Sequence, residues 1–404
     1  MTRRERLVDV LVVGAGPAGL AAAAGLAAAG VREVEVLERD QQPGGIPRHC
    51  AHGGFGTRPT GDLSGPAYAL YCATEATDAG ATLRTGITVT GWAAPRTLDA
   101  TGPGGLERIS ARAVVLATGA RERPRAARLV PGTRPSGVYT TGELQQAVHL
   151  HRQHIGTRAV VVGDEPVALA AADTLRTAGV HLVARVTEHP PRPFAAVRPA
   201  GGAPLLTRTT VTALAGRPRL TGVRVRHEDG RTTTLACDTV VFTADWIPDH
   251  ELARRGGLPL DPGTRGPAHD PAYRTREPGV FAVGNLLHGG ESAATAAREG
   301  RAVTGPVLRH LATGTWPAGG PPLTVAAPLE WIAPNLAGAG GGGRLLLRTG
   351  RRLTAPRLVV SQDGAPLHRR RLARPVPPGG SFTLTAHWLE RVDPAGGPVH
   401  IRLG

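Results

Sequence analysis

The amino-acid sequence predicts an α/β protein containing two copies of a strand, glycine turn and helix unit, followed by a small β-rich domain. Three observations predict it. A glycine fingerprint lies between a short apolar strand pattern and an alanine-rich helix near the start of the chain, and the same unit recurs 149 residues later. Beyond residue 311 the composition changes to short alternating runs separated by Gly/Pro turns. At 404 residues the chain also exceeds what one core ordinarily supports, so more than one domain is expected.

Residues 8–13 form a buried-strand pattern that runs into Gly14-Ala15-Gly16-Pro17-Ala18-Gly19 and then a helix ending near Gly30. Gly14 permits the tight turn, Gly16 leaves no side chain in the path of a pyrophosphate, and Gly19 lets helix and strand pack closely. Free N–H groups at the helix start face the phosphate charge. A second strand at 34–37 delivers Glu38 nineteen residues beyond Gly19, where a carboxylate accepts hydrogen bonds from an adenosine ribose. Strand, turn, helix and acid together make this a Rossmann-like dinucleotide fingerprint.

Residues 161–180 match residues 12–31 at twelve of twenty positions, Pro166 standing for Pro17, so a second Rossmann-like domain is expected. Its loop reads Gly163-Asp164-Glu165-Pro166-Val167-Ala168. Glu165 replaces the middle glycine and brings a carboxylate to the place where a phosphate would sit, and Asp164 adds a second negative charge. The second copy is therefore read as structurally retained, with NAD(P)H binding impaired or lost.

Composition excludes several function classes. The net charge of +15 comes from 47 basic against 32 acidic residues, and all 47 are arginine. With 55 Gly and 36 Pro, the absence of lysine reflects GC-rich codon usage. The arginines are scattered among acids and form no basic stripe, so nucleic acid is not an expected partner. Cys50, Cys72 and Cys237 are too few and too dispersed for a disulfide framework or a metal site, which suits a reducing cytoplasm. Arg3, Arg4 and Arg6 ahead of an uncharged run imitate an export signal or membrane span, but Asp9 and the interrupting glycines argue against either.

The order of the fingerprint, Glu38, Gly44-Gly45, the strand Ala113-Val-Val-Leu-Ala-Thr118-Gly119 and Gly279-Val-Phe-Ala-Val-Gly284-Asn285 resembles the pyridine nucleotide-disulfide oxidoreductases in the broad sense. This resemblance implies an FAD-dependent oxidoreductase. It implies cofactor contacts from Gly14, Gly16, Pro17, Ala18, Gly19, Glu38, Arg39, Gly45, Arg48, Val89, Thr118, Gly119, Gly284 and Asn285. It also implies an FAD-binding domain at 1–120 and 275–312, a second dinucleotide-fold domain at 121–274 and the β-rich domain at 313–404. Two departures narrow it. Cys50 has no cysteine partner nearby, so a dithiol relay is not available. Asn285 stands where the superfamily commonly has aspartate, and its amide remains able to hydrogen-bond a ribityl hydroxyl.

Ala117-Thr-Gly-Ala-Arg-Glu-Arg-Pro124, Gly137-Val-Tyr-Thr-Thr-Gly142 and Leu144-Gln145-Gln146 resemble one branch more closely. That branch holds the FAD-containing subunits of opine oxidases, hydrogen cyanide synthase, heteromeric sarcosine oxidase and hydroxyproline dehydrogenase. What it implies is a small-molecule substrate oxidised at a carbon bearing nitrogen or oxygen, and two partners: a second flavoprotein subunit, with a small iron–sulfur protein beside it. The three dispersed cysteines hold no cluster of their own, so an iron–sulfur centre must come from a partner.

The segment Arg48-His49-Cys50-Ala51-His52 is the most distinctive stretch, expected by position to reach the isoalloxazine ring. Arg48 supplies a cation suited to the flavin's N1–C2 edge. His49, Cys50 and His52 make a poor metal site and a reasonable proton-handling one, although each taken singly reads more simply as part of a glycine-framed loop packed on FAD. His288 and Glu291 either touch substrate or cap the next helix, for which Ser292 is the better cap. Residues 244–250 read as a domain-closing loop. In the C-terminal region, residues 353–360 and 381–385 read as strands and 340–343 as a flexible loop.

Three readings remain open: a dehydrogenase subunit that oxidises a small amine or hydroxy acid or relays electrons from a partner, an NAD(P)H-dependent flavin reductase, and an assembly subunit with structural FAD.

Overall fold

The computed structural model describes residues 3–56, 61–191, 202–338 and 343–404. Of the expected loop at 340–343, all but Gly343 lies outside the described residues. The chain divides into two compact units: Met1–Gly45, Ala69–Ala120 and Pro248–Gly404 form one, Ile46–Tyr68 and Arg121–Ile247 the other.

The chain opens with β1 (Arg4–Val13), α1 (Pro17–Ala28), β2 (Val34–Glu38), α2 (Gly65–Asp78), β3 (Thr82–Thr85), β4 (Thr88–Ala94), β5 (Thr97–Gly102) and β6 (Gly105–Leu116). There follow β7 (Ala120–Glu122), β8 (Val138–Thr140), α3 (Thr141–Gln145), β9 (Arg158–Val162), α4 (Pro166–Thr177), β10 (His181–Val186), β11 (Leu205–Leu206), β12 (Thr209–Ala215), β13 (Gly222–His227), β14 (Thr232–Ala236), β15 (Thr239–Phe242) and β16 (Trp246–Pro248). Then come α5 (Glu251–Arg255), β17 (Val280–Ala282), α6 (Ala293–Ala302) and α7 (Thr304–Thr313). The last strands are β18 (Leu323–Val325), β19 (Leu329–Ala333), β20 (Arg344–Thr349), β21 (Arg357–Gln362), β22 (Ala365–Arg371), β23 (Ser381–Thr385) and β24 (Val399–Leu403).

In the first unit the sheet runs β3-β2-β1-β6-β5-β4, with β17 also on β6. Its β1, β2, β3 and β17 pairings are parallel, and residues 10–13, 34–37, 113–116 and 280–282 are buried at its centre. The long β6 pairs with β1 along one edge and divides its other edge between two strands: residues 105–110 pair antiparallel with β5, residues 114–116 parallel with β17. Helix α1 is apolar on nearly all sides and is buried. Its small residues allow α6 to lie close, for a Cβ on Gly300 would come within 2.1 Å of the Ala18 carbonyl oxygen.

The second unit repeats the plan, with a parallel sheet β11-β10-β9-β15-β8 and an antiparallel β12-β13-β14. The repeat keeps register as well as sequence. Val13 pairs with Leu37 in the first copy and Val162 with Val186 in the second, each partner 149 residues on. The expected boundary at 274/275 falls inside the first unit, because the chain rejoins that unit at Pro248 through the bonds of Asp249 to Thr118 and Gly119.

The C-terminal strands form sheets β18-β24-β21-β22 and β19-β20-β23 around Trp388, Leu345, Leu347, Leu358 and Leu384. They belong to the first unit. The expected strand at 353–360 begins later, at Arg357, because Pro356 has no amide to give the ladder; Leu353 makes a lone bridge with Val376.

At the outer end of the first sheet, Glu35 on β2 and Glu107 on β6 are buried to 2% and 5% exposure and share Arg84 of β3 at 2.7 and 2.8 Å. Glu35 also accepts from Arg6, so Arg84→Met strands chiefly the buried Glu107 and is expected to cost about 3 kcal/mol in urea unfolding at neutral pH, with part of the loss recovered in acid; a loss under about 0.5 kcal/mol would show that the pair is solvated.

Candidate functional site

The first-copy crevice lies where the strand order reverses, between the carboxyl ends of β1 and β6. Gly14 sits at φ +107°, and a Cβ there would lie 2.5 Å from the Ala117 carbonyl oxygen that follows β6. Around Gly16 and Gly119 the opposite holds: a Cβ at either would meet nothing within 4 Å. Helix α1 starts at Pro17 with no side-chain cap and no acid in its first turn, so its amide groups keep their capacity for an anion. Glu38 ends β2 and accepts from the amides of Ala15 at 3.0 Å and Asp40 at 2.9 Å. It therefore shapes the loop while retaining lone pairs for a ribose.

Gly45 is set against this loop, where its Cβ would be 3.0 Å from the Cα of Gly16. Thr118 donates its hydroxyl to the Asp249 carbonyl at 2.8 Å, and the Asp249 amide donates to Gly119. The Asp249 carboxylate lies 3.6 Å from Arg39. Val89, on β4, packs against the core cluster of Leu37 and Leu116.

Gly284 closes on Ala18: a Cβ on the glycine would lie 2.6 Å from the Ala18 methyl. The Gly284 amide donates to Glu299 at 3.0 Å. Asn285 is held at both ends of its amide by the backbone of Glu291, at 3.1 Å each. The other Glu299 oxygen meets His288 at 2.8 Å. Burial pushes the His288 imidazole down, but the Glu299 charge and hydrogen bond outweigh it and hold it above its ordinary value. Ser292 caps α6 through the Thr295 amide, as its sequence position suggested.

The second copy has the same backbone and different chemistry. Gly163 donates to Val186 at 2.8 Å as Gly14 does to Leu37. Glu165 then folds its carboxylate back over the loop, accepting from the Asp164 amide at 3.0 Å and from the Thr243 hydroxyl. A Cβ on Gly163 would lie 2.7 Å from that carboxylate. The position of Glu38 is taken by Thr187, whose hydroxyl donates to Asp164 at 3.2 Å. Loop and strand have exchanged roles: in the first copy the acid comes from the strand and the donor from the loop, in the second the reverse.

Arg48, His49, Cys50 and His52 belong to the second unit. Arg48 and His49 lie in a 3-10 turn at Ile46–His49. His49 and Glu122 both border Gly142, and the Cys50 thiol reaches Gln145 Oε1 at 3.4 Å. His52 turns instead to the Gly53 carbonyl at 2.7 Å and the Phe55 ring. Burial, with the negative charge of Glu122, pushes the Cys50 thiol up to about 12. Glu122, which the sequence did not single out, accepts from the amides of Gly142 at 2.8 Å and Ala244 at 3.0 Å. Burial outweighs those bonds and raises it to about 7.

These two environments give two predictions. Native Cys50 is expected to resist iodoacetamide at about pH 8 and to react only on unfolding; labelling of the native protein would contradict a buried neutral thiol. Glu122 holds its proton more tightly folded than unfolded, so its contribution to stability is full below about 4.5 and lost as pH rises to about 7. Glu122→Gln should remove that slope, on the order of 2–3 kcal/mol in denaturant titrations across the window, and an unchanged slope would assign it to other groups.

Two Rossmann-type copies, an open glycine cradle and a carboxylate at the end of β2 define a flavoprotein oxidoreductase of the two-dinucleotide-domain class. The family model described as pyridine nucleotide-disulphide oxidoreductase matches residues 8–300, and the chain belongs to that family. It is 29% identical over 280 residues to the alpha subunit of sarcosine oxidase from Rhizobium meliloti (strain 1021), covering 62% of this chain and 26% of that protein. With an opine oxidase subunit of Agrobacterium tumefaciens (strain Ach5) it shares 33% identity over 180 residues, 43% of this chain and 35% of that protein. The matches thus span roughly a quarter to a third of these relatives. The T. acidophilum thioredoxin reductase superposes with a TM-score of 0.64 at 23% identity, over 76% of this chain and all of that one, which shows the fold. No helix among the described residues is long and apolar enough to cross a membrane.

Proposed function

We propose that this chain is an FAD-dependent dehydrogenase subunit that oxidises a small amine or hydroxy acid, or relays electrons from a partner's flavin, without using NAD(P)H. The observation that carries the reading is the contrast between the copies: space beside Gly16, a carboxylate folded over the loop at Glu165. The first-copy residues fit FAD. The 14–19 loop and the uncapped start of α1 would hold the pyrophosphate, Glu38 the adenosine ribose, and Gly119, Gly284 and Asn285 the remaining chain of the cofactor. When bound, FAD supplies the two-electron acceptor for a C–H bond next to nitrogen or oxygen.

The substrate class and the subunit role draw support from the two relatives, both of them named as oxidase subunits. Cys50, Cys72 and Cys237 are buried and not joined in disulfides, so disulfide chemistry gains no support, and an iron–sulfur centre would belong to a partner protein. Glu122, poised near neutrality beside His49, is the group of the second unit best suited to hold or release a proton.

Glu165→Gly tests the reading. The wild-type protein is expected to bind NADH weakly in equilibrium fluorescence titrations, and the variant about tenfold more tightly, because the like charge at the phosphate position is gone. Tight wild-type binding, unchanged by the substitution, would favour the flavin reductase reading instead. For substrate, secondary amino acids such as N-methyl or N-carboxyalkyl amino acids should bleach the flavin anaerobically.

A further inference from the structure

The C-terminal sheet places three side chains on one rung. Trp331 of β19 pairs with Arg348 of β20, and Arg348 pairs with Ser381 of β23. The guanidinium lies 4.8 Å from the Trp331 ring centre. It donates through Nη1 to the Gly289 carbonyl at 2.9 Å and through Nη2 to Glu291 Oε1 at 2.8 Å. Ser381 donates its hydroxyl to the same Glu291 oxygen. Arg348 and Glu291 keep side-chain exposures of only 14% and 12%. Trp331 also stacks on His288, with ring centres 5.6 Å apart and planes 18° from parallel.

All these contacts converge on residues 284–291. Glu291 fixes Asn285 through two backbone bonds, and Glu299 fixes Gly284 and His288. A short loop carrying two of the FAD-site residues is thus held from α6 on one side and from the C-terminal sheet on the other.

We propose that Arg348 is a positioning residue of the flavin site: it clamps residues 284–291 so that Gly284 and Asn285 keep the backbone placement that receives the cofactor. The proposal rests on the FAD reading above. It gives the C-terminal sheet a role in the cofactor site, acting through the loop. A planar guanidinium suits this because it satisfies a carbonyl, a carboxylate and an aromatic face at once, which an ammonium does not.

The test uses the full chain, stripped of flavin and titrated with FAD, with flavin fluorescence quenching and visible circular dichroism as readouts beside thermal unfolding. Arg348→Met should weaken FAD binding about tenfold and alter the visible dichroism, while also lowering the unfolding temperature because Glu291 is left buried and unpaired. Adding Glu291→Gln removes that stranded charge. The double variant should therefore regain stability while affinity and dichroism stay at the single-variant level. Recovery of all three would make Arg348 a counter-ion of the fold only and overturn the proposal, as would an Arg348→Met protein that binds FAD normally. A wild-type chain that takes up no FAD overturns the cofactor reading itself, and the clamp with it.

Discussion

Gly19 comes so near the Gly14 carbonyl that a Cβ on it would lie 1.9 Å from the oxygen. That approach sets where α1 begins relative to the end of β1, and most of the first unit follows from it. It turns the helix's uncapped amides toward the crevice, leaves space beside Gly16, and brings Ala18 within reach of Gly284 and Gly300. Because Ala18 carries both the close packing of α6 and the placement of Gly284, the anion cradle and the helix pair are one structure. A side chain at Gly19 would separate them.

The second unit shows what the same backbone does when the chemistry is altered. Its register is preserved, its loop bond from Gly163 to Val186 is preserved, and residue 245 retains the positive φ seen at Gly119. Its polar groups have been turned inward, however, onto Glu165, Asp164, Thr187 and Thr243. On the proposed reading, a loop whose carboxylates satisfy its own donors disfavours a further anion. Glu122 and Arg128 extend the pattern: the Glu122 carboxylate accepts from the amides of Gly142 and Ala244, and the Arg128 guanidinium donates to the carbonyls of Thr243 and Ala244.

Much of this was legible in the sequence because it depends on local order or on spacing that repeats. The glycine fingerprint and the Ser292 cap follow from residues a few positions apart, Glu38 from a fixed spacing beyond Gly19, and the repeat at 149 residues from direct comparison of two stretches of chain. The association of residues 46–68 with the second unit was not, since the Cys50–Gln145 contact joins positions 95 residues apart and no periodicity encodes it. Glu122 stands between Arg121 and Arg123 with nothing local to mark it; only its burial makes it unusual. The Trp331, Arg348 and Ser381 rung depends on the pairing register of three short strands, which the Gly/Pro-rich C-terminal sequence does not reveal.

In the proposed reading the two copies have parted in function, one open to FAD and the other closed by its own carboxylates. Anaerobic addition of stoichiometric NADH, then NADPH, to the flavin-loaded protein tests it most directly through the visible spectrum. The account predicts a flavin that stays oxidised with both donors. Rapid bleaching by either would mean that the second copy still delivers a nicotinamide despite Glu165, and would contradict it.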